Sequence, residues 1–262
     1  LHLSIRRQRQ MCIRDRAGRA YIINSSLTTT AMAIGAGEKP SVISAIMKYH
    51  TTELARLIGI DAMDIHGGKA VMLGPKNYLS TAHEAAPIAI TVEGANIMTR
   101  NLIIFGQGAF RCHPFVLKEI EAVNIEDETE AIEQFDIHFF NHIGYTITNA
   151  ANSFVRGITD KFTDSPVVDE TAFYYRQINR FSAAFAFLTD ISMLVIGGSL
   201  KRKESISARL GDVLSALYLA STSLKYYEDT GDKESELPLV HWTQKTLPVS
   251  YTHLTLPTNR EV

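Results

Sequence analysis

Cysteine, proline and tryptophan are all scarce in this chain. Its 262 residues include two cysteines, eight prolines and one tryptophan. Two cysteines cannot form the disulfide framework of a small secreted domain, and so few thiols suit a reducing compartment. With little proline to interrupt them, long stretches can be helical, whereas strand signals are sparse between Tyr21 and Tyr227.

An excess of positive charge is also missing. The chain has 26 Lys and Arg residues against 28 Asp and Glu residues. We therefore expect no nucleic-acid partner, because such proteins need a basic face. The apolar stretch at residues 182–198 contains Asp190 and is shorter than a bilayer span, so it predicts a buried bundle helix.

The two ends of the chain match each other in an unusual way. Residues 6–15 can be encoded by CGT CGG CAG CGT CAG ATG TGT ATA AGA GAC, and the reverse complement of that DNA encodes residues 249–258. The segment resembles a transposon-derived adapter used in sequencing libraries. We therefore predict that residues 1–16 and 249–262 are artefactual tails and set them aside. Without them 20 basic and 26 acidic residues remain, and Cys112 is the only cysteine.

Apolar residues recur at intervals of three and four along most of the chain, which predicts an all-α fold. Pro40 suits the first turn of a helix, and no internal repeat is evident. Residues 122–133 are acidic and weakly apolar, so they suit a linker or a solvated helix face. We expect a first helical domain at 17–121 and an additional helical bundle at 122–248. Helices are predicted over residues 26–36, 40–65, 95–105, 135–155, 169–196 and 205–228.

Two short motifs point to chemistry. Gly67 and Gly68 follow the predicted second helix, and two residues without Cβ let a backbone approach a phosphate closely. Taken alone, a glycine pair after a helix is more often a simple stop signal. Further along, Glu93 and Gly94 begin a run that ends at Arg100. Each motif is common by chance, and their order along the chain gives them weight.

In that order the motifs resemble the C-terminal domain of the acyl-CoA dehydrogenases. In that family a glutamate followed by glycine is the catalytic base, and an upstream glycine pair lies against the pyrophosphate of FAD. The bacterial long-chain type with an extra C-terminal domain is the most similar, because it has runs like residues 176–180, 197–202 and 207–212. The resemblance implies a partial C-terminal helical bundle followed by a second bundle. It also implies a helical and a β domain upstream of Tyr21.

The resemblance further implies a reaction and a site. The reaction is α,β-dehydrogenation of a fatty acyl-CoA to the trans-2-enoyl-CoA, the first step of fatty acid β-oxidation, with Glu93 as the catalytic base. Typical members have Gln where Asp64 stands and Thr where Ala95 stands, so only backbone contacts are expected there. The residues implied to contact FAD are Asp64, Gly67, Gly68, Ala95 and Asn96.

Family membership also implies partners. Reduced FAD would pass electrons to an electron-transfer flavoprotein, and the enzyme would be a homo-oligomer in the cytoplasm or at the periphery of the inner membrane. Two other functions stay open. An acyl-CoA oxidase shares the base and the flavin but reduces oxygen. A non-catalytic helical interaction module would leave Glu93 as an ordinary exposed carboxylate at a helix N-terminus.

No metal site is predicted. His138 and His142 are four residues apart with Asp136 nearby, so they could share a helix face. No third ligand with matching spacing accompanies them, and the phenylalanines between them indicate ordinary packing. Cys112 is followed by His113, but no oxyanion motif is present, so a structural role is predicted.

Overall fold

The computed structural model describes residues 2–159, 165–230 and 232–247, and these residues form helices and no β-strand. The predicted all-α class is confirmed. The chain divides into two compact units. One takes the chain up to Thr99 and again from Tyr218 onward, and the other is Arg100–Leu217. The predicted domain boundary between residues 121 and 122 stays a prediction.

The first unit is built on a helical hairpin. Helix α1 (His2–Gly35) packs against α2 (Ser41–His66), and α2 begins directly after Pro40 as predicted. Met47 of α2 forms a small buried core with Ile22 and Leu219. Helix α1 is longer than the predicted helix over 26–36. It continues through the Arg- and Gln-rich segment at 6–16, whose residue types favour helix.

Two helices of this unit were not predicted. Helix α3 (Leu79–Thr91) packs against α2, and α10 (Lys233–Thr246) packs against α1. Each has a proline within it, Pro87 or Pro238, which lowers helix propensity. None of the residues of α3 is buried within this chain. The helix therefore has no buried apolar face that a sequence pattern could have indicated.

The prediction of one regular helix over residues 95–105 is wrong, because most of this stretch is π-helical. A three-residue helix α4 (Asn96–Met98) leads into a π-helical stretch, Thr99–Gln107, in which Ile104 and Phe105 are both fully buried. At Gly211 a Cβ would lie 3.3 Å from the carbonyl oxygen of Arg100, so the two backbones approach closely there.

The second unit contains a further helical hairpin. Asp127 caps α7 by accepting hydrogen bonds from the backbone N–H groups of Thr129 (3.0 Å) and Glu130 (2.9 Å). Helices α6 and α8 both pack against α7. The core of this unit contains Phe105, Leu200 and Leu210. Its helices are α5 (Gly108–Arg111), α6 (Val116–Val123), α7 (Glu128–Ile158), α8 (Ala172–Ile196) and α9 (Glu204–Thr230), the last of which continues into the first unit.

Helix α8 is more exposed than the buried helix that its sequence predicted. By length and composition alone Ala172–Leu200 could cross a membrane, with a mean hydropathy of 1.7, and 22% of the apolar window is buried. Asp190, which lies in the middle of this stretch, is nevertheless buried.

A similar backbone break occurs once in each unit, although the sequence showed no repeat. Helix α2 is followed by Gly67 (φ 59°, ψ −133°), and α8 is followed by Gly197 (φ 56°, ψ −143°). In both places a glycine pair begins a short 3-10 turn, over Gly67–Val71 and Gly197–Arg202. A positive φ at the first glycine of each pair explains why that position needs glycine.

Candidate active-site loop and its glycine pair

The loop after α3 has an unusual backbone at Glu93. Glu93 has φ of 59° and Gly94 has φ of 90°. Among the described residues Glu93 is the only one other than glycine with a positive φ. A side chain held in this region costs about 1–3 kcal/mol, and such residues cluster at functional sites where the surroundings hold them in place.

Lys48 of α2 holds this loop. Its Nζ donates to the carbonyl oxygen of Gly94 (2.6 Å) and to Oδ1 of Asn96 (2.7 Å). A charged donor makes these hydrogen bonds stronger than neutral ones. One ammonium group therefore fixes the chain at two points directly after Glu93.

Asn96 completes the attachment to α2. Its Nδ2 donates to Oγ1 of Thr52 (2.9 Å) and to Oε1 of Glu53 (3.0 Å), and the residue is 5% exposed. The side-chain amide thus uses its oxygen and its nitrogen inside the protein. Its assignment as an FAD contact stays a prediction, and the structure gives the side chain a separate task.

The carboxylate of Glu93 is exposed in this chain, as are Asp64, Gly67 and Gly68, whereas Ala95 is half-buried. An exposed position leaves the Glu93 side chain accessible to a substrate.

The glycine pair fits the approach of a phosphate group. Both glycines are exposed, and the space that a Cβ would occupy at Gly68 has no atom within 4 Å. At Gly67 the nearest atom to such a Cβ is Nη2 of Arg9, at 4.0 Å, in the segment predicted to be adapter-derived. The backbone here is open to an anionic ligand such as the pyrophosphate of a dinucleotide.

Asn77 orders the segment between the glycine pair and α3. Its Nδ2 donates to the carbonyl oxygens of Ala70 (2.7 Å) and Met72 (2.5 Å), and its Oδ1 accepts from the N–H groups of Leu79 and Ser80. This one side chain therefore ties the 3-10 turn to the first turn of α3.

The two motifs lie at different levels of α2. Lys48, which binds the Glu93 loop, is 19 residues before Gly67, and a helix rises 1.5 Å per residue, so the separation along α2 is about 28 Å. The structure brings Glu93, Ala95 and Asn96 together at one level and Asp64, Gly67 and Gly68 together at another. It does not bring the two groups into contact.

Comparison with protein-family models decides which family this is. Residues 13–106 match the model described as acyl-CoA dehydrogenase, C-terminal domain. Residues 110–249 match the model described as acyl-CoA dehydrogenase, C-terminal, bacterial type. The chain belongs to the acyl-CoA dehydrogenase family. The resemblance seen in the sequence is confirmed, including the bacterial type, and no solved structure matches the chain.

A second polar cluster lies in the bacterial-type region of this acyl-CoA dehydrogenase chain. Asp190 of α8 accepts hydrogen bonds from Nε2 of His113 (2.8 Å), Oγ1 of Thr146 (2.7 Å) and Nε2 of His142 (3.4 Å). Nδ1 of His142 lies 2.7 Å from Oε1 of Glu119, and the ring donates to both carboxylates when both of its nitrogens carry a proton. The cluster joins α6, α7 and α8, and beside it lies an apolar cavity of about 430 Å³.

The hydrogen bonds of His113 define its tautomer. Its Nδ1 accepts from the backbone N–H groups of Phe115 and Val116, both at 3.2 Å, so the ring proton lies on Nε2 and is donated to Asp190. His113, His142 and Asp190 offer ligand atoms within 4.8 Å of one another. A metal on Nε2 of His113 would leave an anionic imidazolate, so this geometry favours a hydrogen-bond network over a metal centre.

Asp190 is ionised within this network. Burial alone would raise the pKa of its carboxyl group, but the hydrogen bonds from His113, Thr146 and His142 outweigh burial and hold the pKa below its usual value. From the sequence, His142 was considered together with His138 on one helix face, and no metal site was predicted there. The contacts that matter are 48 and 77 residues apart in the chain, so helical spacing could not reveal them.

Proposed function

We propose that this chain contributes the catalytic base of an FAD-dependent acyl-CoA dehydrogenase, and that Glu93 is that base. The observation that carries the proposal is the left-handed backbone at Glu93, held by Lys48 in a region that matches the family's C-terminal domain. An energetically costly conformation beside an accessible carboxylate is typical of a functional position.

In the proposed reaction the Glu93 carboxylate removes a proton from the α-carbon of a fatty acyl-CoA thioester. The electron pair of that C–H bond becomes the α,β double bond as a hydride leaves the β-carbon. When bound, FAD supplies the acceptor for that hydride. The product is the trans-2-enoyl-CoA.

Gly67 and Gly68 are proposed to hold the cofactor's phosphate groups through their backbone, with Asp64 beside them. This role is supported by the positive φ of Gly67 and by the open space at Gly68. Because Lys48, which binds the Glu93 loop, and the glycine pair are about 28 Å apart along α2, each motif is proposed to form one part of a larger site.

The proposed partners follow from the family. Electrons would leave through an electron-transfer flavoprotein, and the enzyme would be a homo-oligomer. The turn after the glycine pair exposes apolar side chains, which another part of the enzyme or a second copy would cover. Val71, Met72 and Leu73 are exposed there, and Leu73 is 88% exposed.

The test uses the complete acyl-CoA dehydrogenase that contains this chain. Glu93→Gln should abolish turnover of a long-chain acyl-CoA with an artificial electron acceptor, because the amide cannot take the α-proton. The FAD content should be unchanged. Glu84→Gln is the matched control, because Glu84 is an exposed glutamate on α3. Turnover of Glu93→Gln at the rate of the control would refute the proposal.

A further inference from the structure

We infer that Lys48 is a positioning residue for the reaction, acting through the loop that carries Glu93. This inference rests on the proposed function of Glu93. The structure assigns Lys48 no contact with the Glu93 carboxylate itself. Its hydrogen bonds go to Gly94 and Asn96, the first and third residues after Glu93.

The geometry explains why a cation is needed at this place. The backbone has positive φ at both Glu93 and Gly94, so the peptide after Gly94 is turned with its carbonyl oxygen toward α2. That oxygen accepts a 2.6 Å hydrogen bond from the Lys48 ammonium group. Without the donor, the carbonyl would lose its partner on α2, and the turn would lose the contact that opposes its strain.

Asn96 restricts the movement of the Glu93 loop further, because it adds hydrogen bonds to α2. Its oxygen accepts from Lys48 while its nitrogen donates to Thr52 and Glu53, all three on α2. Lys48 and Asn96 therefore bind each other and hold the loop from two sides. A base must remain within hydrogen-bonding reach of the carbon acid, and small displacements of catalytic groups cost large factors in rate.

Two other charged groups of α2 near this loop, Glu53 and Arg56, pair with each other. Glu53 accepts from Asn96 and also from Nη2 of Arg56 (2.9 Å). Arg56 is one helical turn further along α2 than Thr52, and its Nη2 donates to Glu53. Lys48 is a cation that binds the Glu93 loop at both Gly94 and Asn96.

The first arm of the test measures the loop directly in this chain. Lys48→Met keeps the length of the side chain but removes the ammonium group. Hydrogen–deuterium exchange in a peptide covering residues 90–98 should become faster by roughly 10-fold or more, because the loop opens locally. Lys39→Met is the control, since Lys39 is exposed in the turn before α2, and it should leave exchange unchanged.

The second arm measures catalysis in the complete enzyme. Lys48→Met should lower kcat by roughly 10- to 100-fold with little change in KM or FAD content. Lys48→Arg, which restores a cationic donor, should recover most of kcat. If Lys48 only stabilised the fold, Lys48→Met would instead lower FAD content and thermal stability together. In that case the loss of activity would follow the loss of FAD, and kcat would not fall selectively.

The outcomes distinguish this inference from the proposed function. If Glu93→Gln is inactive while Lys48→Met exchanges and turns over like the wild type, Lys48 has no positioning role and the function of Glu93 stands. If Glu93→Gln remains active, the proposed function fails, and with it the catalytic part of this inference. Faster exchange with kcat lowered and then rescued by arginine would support the inference.

Discussion

Replacing Asp190 with asparagine should destabilise the bacterial-type region. The Asp190 side chain is 5% exposed and accepts three hydrogen bonds, two of them at 2.8 Å or less. Hydrogen bonds to a charged group are worth about 1.5–3 kcal/mol each. Removing one partner of a buried charged pair costs about 3–5 kcal/mol. Asparagine keeps one acceptor oxygen but presents an NH₂ group to donors, so we expect a loss of about 3 kcal/mol in the free energy of unfolding.

Urea unfolding followed by circular dichroism measures this loss. With a slope of about 3 kcal/mol per molar urea, the midpoint of the affected transition should fall by about 1 M. Asp136→Asn is the control, because Asp136 is an exposed residue of α7 in the same unit, and it should change stability by no more than about 0.5 kcal/mol. If the two variants unfold at the same urea concentration, the network around Asp190 does not stabilise this region.

Three further predictions follow from the same structure. Because the pKa of Asp190 is lowered in the folded protein, its stabilising effect should be complete above its ordinary pKa of about 4, decrease as the pH falls below that value, and be lost below the lowered pKa of the folded protein. The stability difference between wild type and Asp190→Asn, measured by unfolding from about pH 6 to about pH 3, a range that spans the ordinary pKa of an aspartate, should therefore shrink on acidification; a constant difference would contradict this. Gly197→Ala should lower the midpoint of thermal unfolding by the equivalent of about 1 kcal/mol, because φ is 56°, whereas Gly198→Ala, where a Cβ meets open space, should be near neutral; equal effects would refute the backbone argument. A flavin absorbance titration of the isolated segment 17–248 should show weak FAD binding or none, and tight stoichiometric binding would contradict the view that most of the pocket lies elsewhere.

The helices that could be predicted from sequence are those with a local signal. Pro40 marked the start of α2, and its apolar stripe gave an end within one residue of His66. Helix α8 was predicted to end at Ile196, before a glycine pair, and does so. Helix α3 lacked such a signal, because Pro87 interrupts it and none of its residues is buried in this chain.

The candidate site could be located from sequence but not assembled from it. Glu93 and the glycine pair stood out as motifs, whereas the hydrogen bonds from Lys48 join residues 46 and 48 positions apart. The periodicity of apolar residues carries no information about a contact over that distance in the chain. The positive φ of Glu93 was equally invisible, because a backbone conformation that is unusual for glutamate has no signature in residue type.

The account depends most on Glu93 acting as the base. The most direct measurement is anaerobic single-turnover reduction of the flavin by acyl-CoA in the complete enzyme, which isolates the C–H cleavage step. Glu93→Gln should slow flavin reduction by at least about 100-fold, within the range that general base catalysis contributes, while the oxidised flavin stays bound. Flavin reduction at the wild-type rate in that variant would contradict the account.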